Sequence, residues 1–190
     1  MVLNIYGPSG SGKTTLIKEL VKTNKIKLFY DLLMNNKISM DEDYFNVSLS
    51  LIPLPIFRGS IKDFFDCYGL DIYSLLEAND KLKNLSLSIF DFKGKNDIDS
   101  FSKRFLESLS AGEMRRLFIV KSLISKASIV IIDEPFSNSD SRLFEIIIDA
   151  IKNSPRCIVL SHLPIIEKVD LKSGDLMINI DLAREKVLQL

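Results

Sequence analysis

Short apolar runs and amphipathic stretches alternate along the chain. Runs rich in β-branched residues predict strands buried on both faces, whereas apolar residues spaced three or four apart predict helices. The predicted strands are Val2–Tyr6, Ile26–Tyr30, Val47–Ile52, Ile129–Ile132, Cys157–Leu160, Leu176–Ile180 and Glu185–Leu190. The predicted helices are Thr14–Val21, 111–125, 142–152 and a short one at 164–169. A further helical pattern runs from Ile61 to about Phe105, with an interruption near Lys93–Asn96.

We predict an α/β fold with a mainly parallel central sheet. The four consecutive β-branched residues Ile129–Ile132 indicate a strand buried on both faces, and hence a central strand of such a sheet. The chain has 190 residues, a length typical of one domain with a substantial core, so we predict a single domain over 1–190. The helical stretch at about 61–125 is predicted to form a small subdomain within it.

Charge, cysteine content and hydropathy argue against several classes of protein. Lysine plus arginine and aspartate plus glutamate both number 25, so no overall basic field favours nucleic-acid binding. The two cysteines, Cys67 and Cys157, show neither metal-binding nor disulfide spacing, so we expect them to pack as small apolar residues in a reducing cytosol. No apolar run is long enough to span a bilayer, and the chain starts with a predicted strand instead of a signal peptide. We therefore expect a cytoplasmic protein.

A glycine-rich stretch links the first predicted strand to the first predicted helix. It contains the complete spacing G-x-x-x-x-G-K-[ST] of a phosphate-binding loop. Its glycines allow a tight turn whose N–H groups point at an anion, and the helix behind it aims its positive end at the same place. Lys13 would reach the outer phosphates and the Thr14 hydroxyl would ligate Mg²⁺, whereas a glycine-rich turn with a chance lysine is the alternative. The predicted nucleotide-binding residues are Gly7, Pro8, Ser9, Gly10, Ser11, Gly12, Lys13, Thr14 and Thr15.

Two adjacent carboxylates follow a second buried strand. Asp133 and Glu134 come directly after Ile129–Ile132, at the carboxyl end of a strand, where open α/β sheets place their ligands. Asp133 could hold Mg²⁺ opposite Thr14, and Glu134 could take a proton from an attacking water. An ordinary acidic turn at a strand end is the alternative. The phosphate loop and this acidic pair predict a P-loop NTPase.

Three further segments narrow the class of P-loop NTPase. Leu109-Ser110-Ala111-Gly112-Glu113 precedes a predicted helix, Ser137-Asn138-Ser139-Asp140 follows the acidic pair, and His162 follows the strand Cys157–Leu160. In order and spacing they resemble the signature motif, the D-loop and the switch histidine of the ATP-binding cassette (ABC) ATPases, and Asp133-Glu134-Pro135 resembles the Walker B motif of that family. The resemblance covers residues 1 to about 165.

The resemblance implies ATP as the nucleotide, Mg²⁺ as its metal, and Glu134 and His162 as catalytic residues. It also implies that Ser110, Ala111, Gly112 and Glu113 close over ATP held by a second cassette, in a head-to-tail homodimer or heterodimer. A simpler interpretation fits the same residues, because Ser110 followed three positions later by Glu113 is the pattern of a capping box. A lone histidine is likewise often a surface or satisfied core residue.

Four features differ from the family pattern. The chain begins six residues before the phosphate loop, so we expect the N-terminal strands and their adenine-stacking aromatic to be missing and another aromatic to substitute. The Q-loop glutamine has no counterpart, and Ile52 holds its approximate place ahead of an exporter-like stretch at Pro55–Ile61. Ala111 and Glu113 stand where the family favours glycine and glutamine, and the D-loop reads Ser-Asn-Ser-Asp instead of Ser-Ala-Leu-Asp.

The predicted function is the ATP-binding and ATP-hydrolysing subunit of an ABC transporter. Its expected partners are a second cassette and separate transmembrane permease subunits, at the inner face of the cell membrane. The alternative is a soluble ABC-class ATPase of the repair or defence type that acts on nucleic acid or a protein complex. Such proteins usually carry long coiled-coil insertions, tandem cassettes or basic patches, and the sequence shows none of these. A small-molecule phosphotransferase would leave the signature-like segment and the acidic pair unexplained.

Overall fold

In the part of the chain that is described, five parallel strands form one sheet. The computed structural model describes residues 1–34, 45–73, 95–125, 127–137, 141–154, 156–162, 164 and 175–190. Its strands are β1 (Val2–Tyr6), β2 (Val47–Ser50), β3 (Ile129–Asp133), β4 (Cys157–Ser161) and β5 (Leu176–Asn179). They lie in the order β2-β3-β4-β1-β5, and every neighbouring pair is parallel. The predicted α/β fold with a parallel sheet is therefore confirmed.

Seven α-helices are found in the described ranges. They are α1 (Lys13–Lys22), α2 (Ile26–Leu33), α3 (Ile61–Cys67), α4 (Lys95–Ser102), α5 (Ala111–Ile124), α6 (Ser141–Lys152) and α7 (Ile180–Val187). A turn of 3-10 helix at Leu106–Ser108 precedes α5. The chain divides into two compact units. The first comprises Met1–Ile52, Ala127–Glu134 and Ser154–Leu190, and the second comprises Pro53–Lys126 and Pro135–Asn153. The single domain with a helical subdomain at about 61–125 stays a prediction.

The first unit holds the sheet and a core on one of its faces. Strand side chains that alternate along β1, such as Leu3 and Ile5, are fully buried there against Ile17 of α1 and Phe29 of α2. Side chains two positions apart in a strand point to the same face of the sheet, so Leu3 and Ile5 lie on one face. Helices α1, α2 and α7 cover this face. The burial of β3 and β4 along their whole length agrees with central strands of a parallel sheet.

Two predicted strands of the first unit are wrong. The segment 26–30 begins helix α2, because Ile26, Phe29, Tyr30 and Leu33 share one helical face and are all buried. The same residues do not alternate in and out as a strand would require. The Tyr30 hydroxyl also donates to the Met1 carbonyl oxygen at 2.9 Å, which fixes this helix beside the start of β1.

The C-terminal segment 185–190 is helical up to Val187 and not a strand. The Asn179 side chain accepts from the Asp181 N–H at 2.9 Å and caps helix α7, so the preceding strand ends one residue earlier than predicted. Ile180 and Ala183 are three positions apart and both are buried. The predicted helix at 164–169 lies outside the described residues, apart from position 164.

The described part of the second unit contains helices α3 to α6. Helices α5 and α6 match the predictions at 111–125 and 142–152, and α3 and α4 fall inside the helical pattern that starts at Ile61. Residues 74–94 lie outside the description, and α4 already begins within the predicted interruption. Edge-to-face aromatic contacts join Phe64 to Phe57, Tyr68 and Phe118 and link α3 to α5.

The cysteine prediction holds for one residue only. Cys157 is buried within β4, and burial raises the pKa of its thiol to about 12, so it packs as a small apolar residue. Cys67 is exposed at the end of α3, contrary to the prediction.

Candidate functional site

The glycine-rich loop at 7–12 lies between β1 and α1, at the carboxyl edge of the sheet. Gly10 and Gly12 have φ angles of +74° and +86°, a region that residues with a side chain rarely adopt. The Ser11 N–H donates to the Pro8 carbonyl at 3.2 Å, which closes the turn. Helix α1 begins after Gly12 without a side-chain cap, so the N–H groups of its first turn remain available to an anion.

The other predicted nucleotide-binding residues follow this course of the backbone. Ser9 and Thr15 are exposed, Ser11 is half-buried, and Lys13, Thr14 and Thr15 form the first turn of α1. The Ser11 hydroxyl oxygen is buried and has no hydrogen-bond partner among the described residues. A buried hydroxyl normally has a partner, so a phosphate oxygen placed at the loop would supply a missing acceptor.

Lys13 is held inside the loop with 6% of its surface exposed. Its ammonium group donates to the carbonyl oxygens of Gly7 at 2.7 Å and Pro8 at 3.1 Å. The same nitrogen lies 4.0 Å from Oε1 of Glu134. These contacts hold a positive charge at the mouth of the loop, where the outer phosphates of a nucleotide would meet it.

Thr14 and Asp133 meet although 119 positions separate them in the sequence. The Thr14 hydroxyl donates to Oδ2 of Asp133 at 2.7 Å, and the Ile52 N–H reaches the same oxygen at 3.3 Å. Asp133 is only 5% exposed because it ends the buried strand β3. Oxygen atoms are the ligands that Mg²⁺ prefers, and these two, from a hydroxyl and a carboxylate, lie close enough together to bind one ion. Water and phosphate oxygens would suit the other coordination positions. The donor set therefore fits the predicted metal.

Glu134 has the left-handed backbone conformation, with φ of +49°. This conformation costs a non-glycine residue about 1 kcal/mol or more, and its N–H bond to the Leu160 carbonyl at 2.9 Å helps to hold it. The turn brings the Glu134 carboxylate 3.4 Å from Nε2 of His162, which follows β4. The carboxylate is largely buried, whereas His162 is 51% exposed. A carboxylate and an imidazole thus face each other beside the Lys13 ammonium.

Sequence reasoning missed Asn4, a buried polar residue in the middle of β1. Its amide donates to Oγ of Ser161 at 2.9 Å and to the Val159 carbonyl at 3.1 Å. The Ser161 carbonyl in turn accepts from the Gly7 N–H at 3.2 Å. Ser161 immediately precedes His162, so these bonds join β1 and the first residue of the phosphate loop to the end of β4, next to the histidine. An amide inside an otherwise apolar run was the signal in the sequence.

The signature-like residues lie at the start of helix α5, in the second unit. Ser110 is the N-cap: its hydroxyl accepts from the Glu113 N–H at 3.2 Å, and its own N–H donates to Oε2 of Glu113 at 2.9 Å. Ala111 and Gly112 form the first turn. The bond from the Ser110 N–H, helped by Arg104 at 3.2 Å from Oε1, holds the pKa of Glu113 below its usual range. The capping box is formed, so it accounts for Ser110 and Glu113 within one chain.

Of the predicted D-loop, Ser137 is described and exposed, and residues 138–140 lie outside the described part. No group of three or more His, Cys, Asp or Glu side chains in the described ranges is arranged to hold a metal ion. No helix in these ranges is both long enough and apolar enough to cross a membrane.

Both the sequence and the fold are similar to those of known proteins. A family model described as "ABC transporter" matches residues 1–137. The spermidine/putrescine import ATP-binding protein PotA of Clostridioides difficile is 27% identical over 150 residues, which cover 74% of this chain and 40% of PotA. The manganese transport system ATP-binding protein MntB of Listeria innocua is 29% identical over 169 residues, which cover 83% of this chain and 67% of MntB. The chain thus spans about two fifths of PotA and two thirds of MntB.

Solved structures share the fold. A bacterial Atm1-family ABC exporter with ATP bound matches 98% of this chain and 36% of its own, with a TM-score of 0.56 and 19% identity. The archaeal ribosome recycling factor aABCE1 matches 85% of this chain and 28% of its own, with a TM-score of 0.58 and 24% identity. At these identities the likeness concerns the fold alone, which is the predicted P-loop fold.

Proposed function

The chain belongs to the ABC transporter family, and on this basis we propose that it is the ATP-binding and ATP-hydrolysing subunit of an ABC transporter. It would power transport through separate transmembrane partner chains, from the inner face of the cell membrane. PotA and MntB are both ATP-binding proteins of transport systems, which supports transport over a soluble role. The equal numbers of basic and acidic residues also offer no field for a nucleic-acid partner.

One observation carries the proposal: the sheet edge joins Lys13, the Thr14–Asp133 pair and the Glu134–His162 pair around the phosphate loop. The loop N–H groups and Lys13 would hold the phosphates of ATP. Glu134 would orient the attacking water and accept its proton, since a carboxylate can act as a general base and this one lies near His162 and Lys13. His162, beside it, would steady the γ-phosphate.

Thr14 and Asp133 are the residues that would hold Mg²⁺. When bound, this ion supplies charge stabilisation to the phosphate oxygens during transfer. The Ile52 N–H bond to Asp133 orients the carboxylate from the backbone. By resemblance, Ile52 holds the approximate place of the Q-loop glutamine of the family. We expect Asp133→Asn to weaken the dependence of ATP binding on Mg²⁺, measured by titration calorimetry with and without the metal.

The complete site would need a second cassette, either a copy of this chain or a related one. Ser110, Ala111, Gly112 and Glu113 would face the γ-phosphate held by the partner cassette. The exposed start of α5 supports this role, because an N-terminal helix end favours an anion even when its first N–H groups are capped.

The proposal is tested by Glu134→Gln. We expect hydrolysis to fall by about 10²- to 10⁴-fold, as for loss of a general base, while ATP binding persists and the closed dimer accumulates. Phosphate release, calorimetry and gel filtration with ATP measure the three effects. Glu19→Gln, which removes an exposed carboxylate from α1, is the matched control and should behave like the wild type.

Near-normal hydrolysis by Glu134→Gln would remove Glu134 from its assigned role. Partner chains are tested separately, by purifying the tagged chain from its native cells. Recovery with a multi-span membrane protein supports the transport proposal, whereas recovery from cytosol with a soluble effector favours a soluble ABC-class ATPase.

A further inference from the structure

The C-terminal helix α7 lies against the phosphate loop at two points, and nothing in the loop motif predicts this. Near the start of the loop, a Cβ atom added to Gly7 would come within 2.7 Å of Cγ2 of Ile180. Near its end, a Cβ atom added to Gly12 would come within 2.6 Å of Nη2 of Arg184. Both glycines therefore give room to side chains of the same helix as well as shaping the turn.

Arg184 makes a direct hydrogen bond to this loop. Its Nη2 donates to the Ser11 carbonyl oxygen, from 173 positions away in the sequence. Its Nη1 lies 3.5 Å from Oδ1 of Asp181, one turn earlier on the same helix. The helix itself is anchored by Ile180 and Ala183, which are buried in the core.

The position of this bond has a consequence for the loop. The Ser11 carbonyl and the Gly12 N–H belong to one planar trans peptide, so they point in opposite directions. Holding the carbonyl towards Arg184 therefore turns the Gly12 N–H away from Arg184. A positive donor on the carbonyl also polarises the peptide and makes its N–H a stronger donor to an anion.

We propose that Arg184 is a positioning residue of the nucleotide site: it fixes the Ser11–Gly12 peptide so that the Gly12 N–H meets a phosphate oxygen of the bound nucleotide. This inference rests on the proposed ATP-binding function. The ligand class it concerns is the polyphosphate of the nucleotide, and not its base, because the contact is to the loop backbone.

The test compares Arg184→Ala, Arg184→Lys and Lys186→Ala by calorimetry. Lys186 lies on the same helix, so its removal controls for the loss of one positive charge from α7. We expect Arg184→Ala to weaken binding of both Mg-ATP and Mg-tripolyphosphate about tenfold, the usual effect of a charge-assisted hydrogen bond. Arg184→Lys should recover most of the affinity, and Lys186→Ala should match the wild type. Thermal melting without nucleotide checks that all variants are folded.

The possible results separate this inference from the proposed function. If the wild type binds ATP and Arg184→Ala binds it equally well, Arg184 has no positioning role and the proposed function stands. If Arg184→Ala loses affinity for ATP and not for tripolyphosphate, its contact is with the base and the loop argument is overturned. If Lys186→Ala loses as much ligand affinity as Arg184→Ala, the effect comes from the net charge of the helix, and the inference fails. If the wild type binds neither ligand, the proposed function fails together with it.

Discussion

Two helix N-termini of this protein carry motif-like sequences, and they are built in opposite ways. Helix α1 follows Gly12, whose backbone is left-handed, and no side chain caps it. Helix α5 follows Ser110, and Ser110 and Glu113 cap each other in both directions. A free helix N-terminus leaves several N–H groups without partners, whereas a capping box satisfies two of them within the chain.

The difference indicates which helix start is suited to a ligand. The loop before α1 has a helix start without a side-chain cap, a buried Ser11 hydroxyl with no hydrogen-bond partner among the described residues, and the Lys13 ammonium group, so it is suited to an anion. The start of α5 is complete as a structural element. A phosphate held by a partner cassette would have to interact with a helix end that is already capped. A test of Ser110 must therefore separate its capping of α5 from a contact with that phosphate.

The largest expected effect is the loss of ATP affinity when Lys13, in the first turn of α1, is removed. Lys13→Ala removes the buried ammonium group that lies against the loop carbonyls. Truncating one partner of a buried charge pair typically costs about 2–5 kcal/mol. We therefore expect ATP affinity to fall by about 10²-fold or more. Calorimetry measures the change. Lys18→Ala, an exposed lysine on the same helix, is the control. Unchanged ATP binding by Lys13→Ala would contradict the assignment of the phosphate loop.

An intermediate effect separates the two interpretations of the capped helix. Ser110→Ala removes the cap and should lower the free energy of unfolding by about 1 kcal/mol. Ser110→Asp keeps a capping side chain but places a negative charge where a partner's γ-phosphate would lie. We therefore expect the aspartate variant to melt like the wild type and to lose at least about tenfold in hydrolysis, as when a donor to the reacting phosphate is lost.

Urea unfolding and phosphate release measure the two quantities for these variants. Full hydrolysis by Ser110→Asp would mean that Ser110 serves only as a cap, and the signature assignment would then be withdrawn.

The smallest effect concerns Glu113 and pH. Its pKa is held below the usual value by the Ser110 N–H, so its carboxylate stabilises the fold above the unfolded pKa, and this contribution is lost as pH falls through the lowered folded pKa. Glu113→Gln keeps an oxygen acceptor but does not titrate. We expect the free energy of unfolding of the wild type to exceed that of this variant by about 0.5 kcal/mol at neutral pH, a small difference because the partly exposed charge is screened. The difference should disappear as the pH falls below the ordinary glutamate pKa of 4.5.

Urea titrations at several pH values provide the measurement. An advantage of the wild type that stays constant with pH would show that the carboxylate charge has no part in the cap.

Much of the fold and of the site was predictable from short stretches of sequence. The strands at Val2–Tyr6 and Ile129–Ile132 are apolar runs long enough to be buried on both faces, and they are strands. The error at 26–30 concerns a short apolar run whose buried residues share one face of helix α2. The error at 185–190 concerns a short segment of mixed charged and apolar residues that continues helix α7 up to Val187. Segments this short do not by themselves distinguish a strand from a helix. Only the neighbours that bury them decide between the two.

The sequence alone was enough to predict the phosphate loop and the acidic pair, because each depends on residues that are adjacent in the chain and whose backbone requirements are local. It was also enough to predict the family, because the motifs occur in a fixed order and spacing along the chain. Tertiary structure decided which distant groups meet: Thr14 with Asp133, Glu134 with His162, and Arg184 with Ser11. The order of parallel strands brings these residues to one edge of the sheet, and that order follows from the packing of the whole unit and from no single segment.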